Sequence, residues 1–212
     1  LKFSQSIDEE IKDEKKMKKF FFKKKIWCAS STHSSEEIFC GKVHIELKKK
    51  YKNLLTIIIP RHVDRIENIY KDLKLHNLNT IIRSSKKKIN LNTDIYLVDT
   101  YGETKKFYKI SKIVFLGGSF ISHGGQNPIE PARLGCIILH GPNIYNFKEV
   151  YTLFSNKKIS YMAKSTKHLT KLVDNFVLNP NKKNKKYSEI EIMGNKILSK
   201  TANEISIIFK NE

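Results

Sequence analysis

The sequence predicts an α/β fold built on a parallel β-sheet with helices on both faces. Three observations carry that expectation. Short apolar runs recur along the chain, at residues 26–30, 54–59, 94–98, 113–116 and 136–139, with helical-period segments between most of them. The run 54–59 (LLTIII) is apolar almost throughout, the pattern of a strand covered on both faces. Polar motifs follow four of these runs, on the edge where open parallel sheets hold their ligands.

The elements follow in order. Residues 1–25 carry mixed charge and then a basic run, read as a surface helix in which Glu9, Glu10 and Glu14 pair with lysines one turn away. Phe20, Phe21 and Phe22 between lysines leave open a membrane-touching alternative. The first strand, 26–30, runs into Ser31-Thr32-His33. Ser34 and Ser35 are the N-cap candidates of a helix with acidic Glu36 and Glu37 in its first turn, extending to about Lys50. The second strand stops at Pro60-Arg61-His62. Ile66, Ile69, Tyr70 and Leu73 then mark one face of a helix.

A short third strand at 79–83 leads into the lysine-rich loop 84–92. The fourth strand, 94–98, ends in Asp99-Thr100-Tyr101-Gly102-Glu103, followed by a helix at 103–110. The fifth strand opens the stretch VFLGGSFISHGGQNPIEPARLGCIILHGP, the centre of the chain's organisation: strand, glycine-rich loop, short helix starting at Pro128, and sixth strand. A helix at 147–154, an edge strand at 160–163 and a helix carrying Leu169, Leu172, Val173 and Phe176 follow. Residues 179–186 read as a polar linker and 187–210 as a terminal helix. The expected division is a basic leading segment (1–25), one α/β domain (26–178) and a C-terminal helical segment of that domain (179–212).

The formal charge is +19, but among the forty basic residues only Arg61, Arg65, Arg83 and Arg133 are arginine. Nucleic-acid surfaces favour arginine forks and stacked aromatics. A lysine-biased solvated surface is therefore preferred over a nucleic-acid partner, and attraction to an anionic membrane surface is the more interesting functional reading. Cys28, Cys40 and Cys136 form no CxxC pair, which fits a reducing, cytoplasmic setting. No apolar run is long enough to cross a bilayer and no signal peptide is visible. The chain opens on Leu1, so it is expected to be a fragment of a longer protein.

Gly117-Gly118-Ser119 and Gly124-Gly125 lie within nine residues of each other, ahead of a helix. Either pair alone is an ordinary turn; together they point to a phosphate loop, with free N–H groups at the start of the Pro128 helix as the anion site. Arg61 at a strand end suits bidentate phosphate binding, against a plain salt bridge to Asp64. Glu130 reads equally as a ribose acceptor or as helix-dipole stabilisation. His33, His62, His123 and His140 fall on predicted loops of one edge without metal-ligand spacing, so neither a metal nor a cofactor is expected. Glu36, Glu37, Asp99 and Glu103 are acids or bases in principle, but nothing in the sequence pairs them.

At these residues the sequence resembles a known family. FLGGSFISHGGQNPIEPARLGCIILHGPNIYNF resembles the signature of the 3-deoxy-D-manno-octulosonic acid (Kdo) transferases of lipopolysaccharide synthesis. WCASSTHSSEE, IIIPRHVDRIE and DIYLVDTYGETKKFY resemble that family's segments in the same order. The opening LKF resembles the segment entering the family's second domain. The match runs from Leu1 to Phe154 and continues more weakly, with Asn179-Pro180 and Met193-Gly194 where expected.

The resemblance implies the C-terminal, Rossmann-like domain of an inverting GT-B glycosyltransferase that binds the donor CMP-Kdo. By motif match Pro60, Arg61, His62, Tyr101, Gly102, Glu103, Asn127, Pro128, Ile129 and Glu130 contact CMP. Ser31, Thr32 and His33 line the cleft near the sugar. It implies further that Kdo moves to a lipid A precursor at the cytoplasmic face of the bacterial inner membrane, with the catalytic base and the membrane anchor in an N-terminal GT-B domain that this chain lacks. Three positions depart from the family pattern: Tyr101 in place of methionine, Gln126 in place of histidine, and Ser122-His123 in place of Pro-Arg. The first two bear on packing against the nucleotide; the third removes an arginine near the sugar or acceptor. The alternatives are another GT-B enzyme using a UDP-sugar, such as an epimerase or N-acetylglucosaminyl transferase, and a basic protein that binds RNA or membrane without catalysis.

Overall fold

A computed structural model describes Phe21 and residues 24–179. Seven strands form one wholly parallel sheet: β1 (Lys25–Thr32), β2 (Leu54–Pro60), β3 (Thr80–Ile82), β4 (Ile95–Leu97), β5 (Ile113–Leu116), β6 (Ile137–His140) and β7 (Ser160–Met162). Their order across the sheet is β3-β4-β2-β1-β5-β6-β7. The chain goes from β1 to β2, crosses to the edge as β3, returns as β4 between β3 and β2, and then passes to the other side of β1 as β5. The direction reverses between β1 and β5, and that gap is the topological switch point.

Alternate residues of each strand feed two separate cores. On one face, Trp27, Ala29, Leu54, Ile58, Phe115 and Leu139 pack with side chains of α1 (Glu36–Lys50), α2 (Ile66–Leu75) and α6 (Thr166–Leu178). On the other, Cys28, Leu55, Ile57, Val114 and Ile138 pack with Phe107 and Tyr108 of α3 (Thr104–Ser111), Ala132 of α4 (Ile129–Arg133), and Tyr151 and Phe154 of α5 (Lys148–Asn156). Every residue of β2 is buried, as its unbroken apolar run predicts. Sequence and structure differ mainly at element ends. β1 runs on through Ser31 and Thr32, β3 and β4 are trimmed to three residues each, and 3-10 turns at Val63–Arg65 and Tyr145–Phe147 precede α2 and α5.

The sheet edge opposite the site is fastened by a polar knot. Asp94 accepts from Lys48 Nζ at 2.5 Å and from the Asn79 amide at 2.9 Å, and lies 3.2 Å from His44 Nε2. His44 is buried and its Nδ1 lies 2.8 Å from Thr56 Oγ1. Burial by itself would raise the Asp94 carboxyl, but the bonds to His44, Lys48 and Asn79 hold it well below the usual range. Phe21, one of the three phenylalanines that leave the membrane-touching alternative open, is buried, with its ring edge-on to Tyr96 at 6.0 Å. The other residues up to Lys23, the polar linker from residue 180 and the terminal helix lie outside the described residues.

Candidate functional site

The polar motifs lie at the carboxyl ends of β1, β2, β4 and β5. A bulge shifts the β1–β2 register between Ser30 and Thr32, with Ser31 at φ +53°. The turned strand end lets Thr32 O accept from the Arg61 amide at 2.9 Å, while Ser30 O accepts from the Gly117 amide at 2.9 Å. The loops after β2 and β5 are thereby tied to the end of β1. Gly117 is required by close approach. A Cβ there would lie 2.4 Å from Ser31 O and 2.6 Å from Thr32 Cα, both backbone atoms.

Glu36 sits under this junction with no exposed surface. Its carboxylate accepts from four backbone amides: His33 at 3.0 Å, Gly118 at 2.7 Å, Ser119 at 3.1 Å and Phe120 at 3.0 Å. This corrects the phosphate-loop reading of Gly117-Gly118-Ser119. The amides of all three residues are already bonded within the protein, and a buried carboxylate stands where an anion was expected. The second glycine pair is also taken up internally. The Gly125 amide donates to Gly118 O at 2.9 Å, and Gly124 is left-handed beneath Asn146 and Tyr145. The Pro128 helix is only five residues long, too short for a strong dipole at its start.

The other carboxylates weighed as acids or bases are engaged too. Glu37 is buried and pairs with both Arg65 guanidinium nitrogens, at 3.1 and 3.2 Å. Asp99 accepts from the Ser84 amide at 2.9 Å. Glu103 binds Arg83 through two bonds at 3.1 and 2.9 Å and accepts from Thr100 Oγ1. The Glu103 carboxylate is thus turned toward Arg83 and Thr100. Its place is to fix the Tyr101-Gly102 turn, in which Gly102 has φ +78°.

Arg83 holds the Glu103 carboxyl below its ordinary value, against the opposing effect of burial. A lowered folded-state value stabilises the fold above the ordinary carboxylate range, and that stability is lost as pH falls through the folded value. Glu103→Gln is therefore expected to cost about 1 kcal/mol at neutral pH. The gap from wild type should close in acid, as read by urea denaturation between about pH 7 and pH 3. A gap independent of pH would contradict this.

The groups left exposed are a short set. Arg61 is exposed and makes no ion pair among the described residues, so the alternative bridge to Asp64 is not formed. Tyr101 is 79% exposed beyond β4. Asn127 Oδ1 caps the Ile129 amide at 3.0 Å, Pro128 stands at the helix N-cap, and the Glu130 carboxylate meets Lys105 at 3.5 Å on the surface. That surface contact is weak and easily exchanged for a ligand. Pro60 closes β2, and Ser31 and Thr32 close β1. Arg61 and His62 therefore lie on one side of the switch point and residues 127–130 on the other, with Lys105 linking Glu130 to the helix that follows Tyr101-Gly102.

His33 is buried, not exposed on a loop. Its ring lies 4.1 Å from that of His123 and 5.9 Å from that of His62, with Nε2 3.3 Å from Gln126 Nε2. His140 ends β6, buried against Tyr151. Sequence reasoning passed over the loop after β6. There the Asn143 amide donates to Ser119 O, the Asn146 amide to Gly124 O, and Asn146 Nδ2 to His123 O, while Tyr151 Oη donates to Gln126 O. The available signal was position: Asn143 to Asn146 follow a strand on the same edge as every other motif.

No family model matches the sequence. A 3-deoxy-D-manno-octulosonic acid transferase of Haemophilus influenzae is 39% identical over 128 residues, 60% of this chain and 30% of that protein. A probable mitochondrial transferase of the same name from Arabidopsis thaliana is 34% identical over 160 residues, 74% of this chain and 36% of that protein. Over the part it shares with them, the chain is similar to the Kdo transferases. It spans about a third of the length of these relatives. The fold matches the C-terminal CMP-Kdo-binding domain of WaaA from Acinetobacter baumannii with a TM-score of 0.75, covering 89% of this chain and 97% of that one at 24% identity. The chain thus shares the fold of that domain, a parallel sheet with helices on both faces.

Proposed function

We propose that this chain is the donor-binding part of a glycosyltransferase that moves Kdo from CMP-Kdo to a lipid A precursor, at the cytoplasmic face of the bacterial inner membrane. The observation that carries the reading is the placement of Arg61, exposed and without an ion pair, at the sheet edge beside the switch point, in a chain related to Kdo transferases. Arg61 takes the phosphate of CMP with a guanidinium fork. His62 and Pro60 flank it. Tyr101 and the amides around Gly102 offer one wall for the nucleotide, and Asn127 to Glu130 offer the other, with Glu130 exchanging Lys105 for ribose hydroxyls. Ser31, Thr32 and His33 line the sugar side.

A single-phosphate donor makes no demand for the metal that clamps a diphosphate. With Glu36, Glu37, Asp99 and Glu103 all engaged, the base that activates the acceptor hydroxyl comes from outside this chain, from an N-terminal GT-B domain. Attack from that side inverts the anomeric centre, and Arg61 stabilises departing CMP. The lysine-rich surface favours an anionic membrane over nucleic acid as the neighbouring surface. The chain with CMP-Kdo and a lipid A precursor is expected to release no product, and adding a complete N-terminal domain is expected to start transfer. Transfer by the chain alone would contradict the division of labour.

A further inference from the structure

Three imidazoles from three loops meet over the switch point. His33 follows β1, His62 follows β2 and His123 lies in the loop after β5. His33 is the hub. Its Nε2 lies 3.3 Å from the Gln126 amide nitrogen, so the ring accepts there and keeps its proton on Nδ1. Burial first, and then the nearby positive charges of His123, His62, Arg65 and Arg61, push His33 down to about 4. It is a neutral platform at neutral pH, and the exposed His123 ring lies tilted against it at 4.1 Å.

The charges facing this cluster do not balance. Arg65 is neutralised by Glu37, and the Glu36 carboxylate under His33 is filled by four amides. Asp64 pairs with neither Arg61 nor Arg65 among the described residues. Arg61, His62 and His123 are exposed, and none of them pairs with a carboxylate among the described residues. Such a set attracts a compact anion, and His123 is the outer imidazole packed closest on His33, at 4.1 Å.

We propose that His123, resting on His33 beside His62 and Arg61, recognises the carboxylate on the anomeric carbon of an ulosonic-acid donor, and that donor affinity therefore rises as pH falls. The inference rests on the nucleotide-sugar reading above and deepens it. Arg61 takes the phosphate, and the histidine cluster takes the second anion, which distinguishes an acidic sugar from a neutral one. The device is selective because a neutral hexose offers the cluster nothing to pair with.

The test titrates the 212-residue chain with CMP, with a CMP-activated ulosonic acid, and with the methyl ester of that donor. The free acid is expected to bind about tenfold tighter at pH 5.5 than at pH 8, while the ester shows no such gain. His123→Ala should abolish the gain with the melting temperature unchanged. His123→Arg, whose charge is permanent, should keep the free acid tightly bound at both pH values. Identical pH profiles for acid and ester, or a gain that survives in His123→Ala, would overturn the carboxylate role while leaving CMP binding intact. Failure of the wild-type chain to bind CMP at either pH would overturn the nucleotide reading and this inference with it.

Discussion

Glu36→Ala is expected to lower the unfolding free energy by about 3–5 kcal/mol, since truncation orphans buried amides that each cost about 1–3 kcal/mol when left unpaired. The carboxylate is fully buried and receives four N–H groups, one from its own loop and three from the loop after β5. It bolts the start of α1 across the switch point to the glycine loop. Glu36→Gln keeps the shape but replaces one acceptor oxygen by a donor, which then faces amides that are donors themselves. Its loss should be smaller but still above about 1.5 kcal/mol. Equilibrium denaturation of the three proteins checks this. A midpoint for Glu36→Ala near that of wild type would show that water or a shifted side chain replaces the clamp. The effect is large because whole domains hold only about 5–15 kcal/mol of net stability.

Arg61→Ala is expected to leave the melting temperature unchanged and weaken CMP binding about 10- to 100-fold, the loss of one or two charge-assisted bonds to phosphate. The first half follows from exposure and the lack of an ion pair; only the Arg61 backbone amide is used by the fold, and alanine keeps it. Arg61→Lys should recover only part of the affinity, because an ammonium lacks the planar fork. Loss of stability in Arg61→Ala would mean that the side chain has a structural partner. Unchanged affinity would move the phosphate away from the end of β2.

The fold was readable because periodicity and burial agree. β2 is apolar on both faces and lies centrally, and the helices that share its core show the spacing of Ile66, Ile69 and Leu73 or of Leu169, Val173 and Phe176. What misled was the chemistry of glycine. Gly117 and Gly118 read as places where backbone approaches a phosphate, but the anion their loop receives is Glu36, eighty or more residues earlier in sequence. Glu36 itself read as a helix-dipole residue, since spacing along a chain does not reveal a partner brought in by a crossover connection. The Arg83 partner of Glu103 was hidden for the same reason, since it follows β3, on the strand beside β4. The convergence of His33, His62 and His123 was half legible: the residues were placed on one edge, but only the bulge at Ser31 and the burial of His33 bring the rings into contact. Tyr145 and Asn146 were invisible to motif reading because they act as props for another loop, through backbone acceptors that leave no side-chain pattern.

The most direct test is a calorimetric titration of the chain with CMP and with UMP. A site that reads cytosine should bind CMP and take UMP at least about tenfold more weakly, because the exchanged donor and acceptor on the base leave a polar group unpaired. Arg61→Ala and Glu130→Ala should each lose CMP affinity with their folds intact. Equal binding of the two nucleotides would favour a UDP-sugar enzyme of the same architecture. CMP binding that both substitutions leave unchanged would contradict the proposed site outright.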